Sequence, residues 1–111
     1  MTKHYKLGTV SQIPLGEGRT FHVGERKFAV FHTREGGLFA TQATCPHRNG
    51  PLADGLLGRS TLVCPLHEWQ FDLSSGRTLN GTCDIAVYAV SRGANGELML
   101  ELPPESQEAA E

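Results

Sequence analysis

No run in this 111-residue chain approaches the roughly 18 to 20 consecutive apolar residues that a membrane-spanning helix needs. The polar opening Met1-Thr2-Lys3-His4-Tyr5-Lys6 also lacks the apolar core of a signal peptide. A cytoplasmic chain with no membrane partner is the expectation. Apolar residues at helical spacing are missing too, whereas there are 13 glycines and 6 prolines. Short strands joined by turns are therefore predicted in place of a helical bundle. The three cysteines are too few, and odd in number, for a disulfide framework. In a reducing compartment such cysteines hold metal or stay free. A basic surplus is absent as well. The net charge is −2, and without Glu101, Glu105, Glu108 and Glu111 the acidic count falls from 12 to 8 against 10 basic residues, or +2. With no clustered basic face, nucleic acid is excluded as a partner. There is no Gly-rich phosphate loop, and no nucleophile or substrate pocket to pair with Asp54, Glu68 or Asp72. These acids read as turn and surface residues, and no catalytic residue is expected.

What the chain does contain is a succession of β-rich runs. A strand is predicted over His4 to Thr9, followed by a turn-rich link from Ser11 to Gly18. Arg19 to Val23 and Lys27 to Thr33 flank Gly24-Glu25, and Arg34-Glu35-Gly36-Gly37 turns the chain into Leu38 to Gln42. This three-stranded meander delivers the chain to Cys45. Further on, Leu56-Leu57 and Thr61 to Val63 pair as a small hairpin across Gly58-Arg59-Ser60. Gln70 to Leu73 is strand-like, Ile85 to Val90 is a strand, and Asn95-Gly96 turns into Glu97 to Glu101. The expectation is one all-β domain over residues 1–102, followed by a flexible acidic tail at 103–111 with too little apolar content to order itself.

The specialised residues fall in two short stretches. Cys45-Pro46-His47 and Cys64-Pro65-Leu66-His67 are each a cysteine followed by a histidine in a proline-stiffened turn, with sixteen residues between His47 and Cys64. Two thiolates and two imidazoles suit zinc or an iron–sulfur cluster and not the oxygen-seeking calcium or magnesium. Order narrows the choice, because a Cys2His2 zinc finger presents a cysteine pair and then a histidine pair, whereas here each stretch supplies one of each. A Rieske [2Fe–2S] centre needs that set, two cysteines on one iron and two histidines on the other. A zinc-bound structural module stays open as the alternative. The candidate metal ligands are Cys45, His47, Cys64 and His67.

The run Cys-Pro-His-Arg-Asn-Gly-Pro-Leu, with Cys-Pro-Leu-His-Glu-Trp-Gln-Phe, then Ser75-Gly76-Arg77 and Tyr88-Ala89-Val90, resembles the Rieske [2Fe–2S] ferredoxin family. It is most like the small subunit of bacterial assimilatory NAD(P)H nitrite reductase. The resemblance implies an antiparallel β-sandwich or barrel with a small rubredoxin-like cluster-binding subdomain at about 43–72. It implies one-electron transfer through one Rieske cluster, with Cys45 and Cys64 on the inner iron and His47 and His67 on the outer. It also implies redox partner proteins. One set is a large reductase subunit carrying flavin, a [4Fe–4S] cluster and sirohaem. The other, for a freestanding ferredoxin, is a flavoprotein reductase and a ring-hydroxylating dioxygenase or other oxygenase. Respiratory-complex Rieske proteins carry an extra cysteine in each loop, where this chain has Gly50 and Leu66, and a hydroxyl donor where it has Trp69. No loop-bridging disulfide and a low, ferredoxin-like potential are the implied consequences.

The remaining residues invite plainer readings. Trp69 and Phe71 are expected in the core below the loops. Cys83 is expected to be buried as a small apolar residue. His4, His22 and His32, with no Cys or His partner at ligand spacing, are structural or surface residues. Arg48, Arg59 and Arg77 stand as a docking rim or as solvated charges.

Overall fold

A computed structural model describes residues 3–44, 51–64, 69–79 and 84–102. The predictions for Cys45, His47, Arg48, Gly50, Leu66, His67, Glu68, Cys83 and the tail at 103–111 lie outside the described residues.

Nine strands are present among the described residues: β1 (Lys3–Thr9), β2 (Glu17–Val23), β3 (Arg26–His32), β4 (Leu38–Gln42), β5 (Leu56–Leu57), β6 (Thr61–Val63), β7 (Gln70–Asp72), β8 (Val87–Arg92) and β9 (Glu97–Leu102). Six form one antiparallel sheet in the order β1-β9-β8-β4-β3-β2, and β5-β6-β7 form a second. The terminal strands of the large sheet, β1 and β2, also touch, so the sheet curls on itself. The all-β prediction and the β2-β3-β4 meander hold.

The period-two pattern explains how this sheet closes on a core. On β9, Leu98, Leu100 and Leu102 are buried and alternate with Glu97, Met99 and Glu101. They pack with Phe28, Val30 and Ala40 inside the curl. β3 is buried on both faces, since its other side chains, Ala29 and Phe31, belong to a second core with Leu52, Leu62, Cys64, Phe71, Leu73 and Ile85. The small sheet thus stands on the outer face of β3, and a single strand serves two cores.

Two features differ from the expected elements. The link before β2 contains a 3-10 turn over Val10–Gln12, where the Thr9 N–H donates to Gln12 Oε1 at 2.8 Å. The predicted strand Ile85 to Val90 begins instead at Val87 and continues to Arg92. Ile85 is diverted because its N–H donates to the Gly76 carbonyl at 2.8 Å and its side chain enters the second core. Ala86 is bound to Gln42.

Candidate metal centre

Of the four predicted ligands, Cys64 is the one among the described residues. It follows β6 directly, is 1% exposed, and forms no disulfide among the described residues. Leu52, Leu62 and Phe71 share its core, with Trp69 packed half-buried against it. The Trp69 and Phe71 rings lie 6.4 Å apart at 56°. Phe71 is wholly buried, as predicted, whereas Trp69 lies at the core's edge.

The described residues flanking both predicted ligand stretches define their roots. Thr44 and Pro51, the described residues on either side of the first stretch, form an antiparallel bridge. The Leu52 N–H closes the same root on the Ala43 carbonyl at 2.9 Å. Cys64 and Trp69 flank the second, and the Cys64 N–H donates to the Trp69 carbonyl at 2.7 Å. A 3-10 turn over Leu52–Asp54 connects the first root to Gly55 and β5, and Leu56 of β5 pairs with Val63, the residue before Cys64. The two roots are therefore one short turn and one strand pair apart.

Gly55 makes this approach possible. A Cβ there would run into the Val63 carbonyl and lie 3.2 Å from the Leu52 carbonyl, so backbone meets backbone between the two roots. Gly76, with φ +81°, plays a comparable part where the chain after β7 passes the Ile85 carbonyl.

The other candidates among the described residues occupy surface, turn or buried structural positions. His4 is exposed and lies 3.8 Å from Glu101. His22 is exposed, and His32 is buried with Nδ1 2.9 Å from the Ile13 carbonyl. Arg59 is exposed and lies 3.8 Å from Glu35, and Arg77 is exposed. Asp54 is exposed. Asp72 binds the Ser74 N–H and hydroxyl through Oδ1 at 2.9 and 2.7 Å. The Ser74 hydroxyl bond, followed by its backbone bond, holds the Asp72 carboxyl below the ordinary carboxylate range. These acids are turn and surface groups. One residue escaped the sequence reading: Gln42, whose side-chain amide reaches Thr44 and Ala86. Its partner 44 positions away leaves no local signal.

A thiol at 1% exposure, walled by Leu52, Leu62 and Phe71, offers a soft sulfur ligand in surroundings that exclude water. The stretches carrying one further thiol and two imidazoles are rooted beside it. This donor chemistry fits an iron–sulfur group with mixed ligands.

Fold and roots together define a small antiparallel β protein of one curled six-stranded sheet and one three-stranded sheet, with the residues flanking both Cys/His stretches joined by backbone bonds. A model of the Rieske [2Fe-2S] domain matches residues 3–90, and the chain belongs to that family. The ferredoxin component of the naphthalene 1,2-dioxygenase/salicylate 5-hydroxylase systems of Ralstonia sp is 32% identical over 95 residues, 84% of this chain and 89% of that protein. The Sphingomonas yanoikuyae B1 ferredoxin superposes with a TM-score of 0.79 at 25% identity, covering 91% of this chain and all of that one. A candidate NADH-dependent nitrite reductase small subunit from Mycobacterium tuberculosis has a TM-score of 0.86 at 15% identity, over 94% and 98% of the two chains. That last likeness is one of fold. The cofactor of the family is a Rieske-type [2Fe–2S] cluster, and the chain's activity is electron transfer of the Rieske ferredoxin kind. No helix among the described residues is long and apolar enough to cross a membrane.

Proposed function

We propose that this chain is the ferredoxin component of an oxygenase system, reduced by a flavoprotein reductase and oxidised by a separate oxygenase, in the cytoplasm. The relationship that carries the reading is the 32% identity to the Ralstonia ferredoxin component, which extends over most of both chains. Residues 1–102 make up the domain, with cluster binding at about 43–72. Cys45, His47, Cys64 and His67 are the ligands.

When bound, the cluster accepts and returns one electron, at a potential raised by having two neutral imidazoles in place of two thiolates. The chain's own residues do the rest. Leu52, Leu62 and Phe71 keep water from Cys64. The Thr44–Pro51 bridge and the Cys64–Trp69 hydrogen bond hold the roots in register. No residue of the chain is assigned a bond-making step.

A second reading, the small subunit of an NAD(P)H nitrite reductase, is favoured by the motif run from Cys45 to Phe71 with Ser75-Gly76-Arg77. Reconstitution separates the two. The ferredoxin reading expects reduction by a flavoprotein reductase and turnover by a ring-hydroxylating dioxygenase. Co-purification with, and rescue of, a sirohaem-containing large subunit would transfer the assignment to nitrite reduction. The ligand set is tested by EPR of the dithionite-reduced protein. A Rieske signal is expected, abolished in Cys64→Ser and His67→Ala, whereas a colourless sample with one zinc per chain would overturn the cluster reading.

A further inference from the structure

Strand β4 leaves the large sheet directly after Gln42, and the last backbone pair it forms with β8 is Thr41 with Val87. One rung beyond, the Gln42 N–H still donates to the Ala86 carbonyl at 3.0 Å. The return bond is made by a side chain: the Ala86 N–H donates to Gln42 Oε1 at 2.8 Å. The other end of the same amide, Nε2, donates to the Thr44 carbonyl at 2.8 Å. Both ends are engaged, one by a donor and one by an acceptor, so the amide can stand in one orientation only.

The partners give this geometry its meaning. Thr44 is the residue from which the chain enters Cys45, and its bridge to Pro51 is the first root. Ala86 ends a strap, Asp84 to Ala86, that is tied to the small sheet. There the Ile85 N–H donates to the Gly76 carbonyl at 2.8 Å, and Asp84 Oδ1 accepts from the Thr78 N–H at 2.8 Å. Thr78 in turn bridges Phe71 of β7, beside the second root. A single side chain thus links the entry to the first ligand stretch with the strap anchored beside the second.

We infer that Gln42 is a positioning residue for the cluster, its amide holding the Thr44 carbonyl against the Asp84–Ala86 strap and so fixing one ligand root relative to the other. This rests on the ligand assignment proposed above. The requirement is for an amide in particular. A glutamate of the same length still accepts from the Ala86 N–H, but when ionised it sets a carboxylate oxygen against the Thr44 carbonyl. A methionine keeps the length and supplies neither bond.

Gln42→Glu and Gln42→Met are compared with the wild-type holoprotein by redox titration, by EPR of the reduced state, and by the rate at which an iron chelator bleaches the visible absorbance. Hydrogen exchange at the Ala86 amide is followed alongside. Both variants are expected to keep wild-type exchange protection in β3 and β9, to bleach at least several-fold faster, and to show shifted g values and potential. Ala86 exchange should rise about tenfold in Gln42→Met, where its acceptor is gone. A role confined to stability would lower the melting temperature and leave potential and g values in place. Variants with wild-type potential, g values and bleaching rate overturn the inference alone. A wild-type protein with no Rieske signal overturns the ligand assignment, and the inference falls with it.

Discussion

Asp72 ties up the turn after β7 by accepting two hydrogen bonds from Ser74, with the Gly76 N–H donating to its carbonyl at 2.6 Å. Because these bonds favour the ionised form, its folded pKa lies below the unfolded one, near 4. Such a group contributes its full stabilisation above the unfolded value and loses it as pH falls through the lower folded value. Asp72→Ala should therefore melt below wild type by a constant margin from pH 7 to 5, with the gap narrowing below about pH 4. Melting curves across that range check it, and a margin unchanged at pH 2 would refute the assignment. Trp69 supports a second expectation at this scale. With an indole where respiratory Rieske proteins carry a hydroxyl donor, and Gly50 and Leu66 in place of bridging cysteines, the potential should fall toward the low end of the Rieske range, about −150 mV. Redox titration decides, and a strongly positive value would contradict it. The proposed ligand role of Cys64 draws on ligand type and order, which the sequence carries on its face. The role of Gln42 does not, because its task arises where two strands that are distant in sequence diverge.

Most elements were legible for a physical reason: Val, Ile, Leu and Phe alternate with polar residues and are punctuated by Gly and Asn, as in Glu97 to Leu102 after Asn95-Gly96. The start of β8 was not, because Ile85 has ordinary strand character and is claimed by the second core. Tertiary packing there outweighs local preference. At Leu52–Asp54 the turn itself is legible from Asp54 and Gly55, whereas the burial of Leu52 and Ala53 comes from neighbours that the local sequence does not announce. The close approach at Gly55 yields a prediction for this element. In Gly55→Ala the added methyl meets the Val63 carbonyl, backbone that cannot step aside as a flexible side chain would. Overpacking of this kind costs about 1 to 3 kcal/mol. The cost should fall on the joint between the ligand roots, so the variant is expected to bleach faster with chelator while β9 amides keep most of their protection. Wild-type bleaching would show that the joint is more pliant than the contact implies.

At the scale of the whole molecule, two cores lie on opposite faces of β3, Phe28 and Val30 toward one and Ala29 and Phe31 toward the other. The inner core closes the large sheet through Leu98 and Leu100, while the outer one fastens the small sheet and surrounds Cys64. Holding the ligand roots thus depends on a core that the large sheet does not need for its own closure. Comparable truncations should separate the two. Leu62 and Leu100 are both fully buried, and each Leu→Ala change removes about 2 to 5 kcal/mol of packing. In Leu100→Ala the loss falls on the large sheet, so global melting and cluster loss should move down together. In Leu62→Ala the loss falls beside Cys64, and the visible absorbance should bleach at a temperature clearly below that of global unfolding by far-ultraviolet circular dichroism. Coincident transitions in both variants would mean that β3 couples the cores into one cooperative unit. A split confined to Leu62→Ala would mean that the face beside Cys64 can open while the large sheet stays closed on its own core.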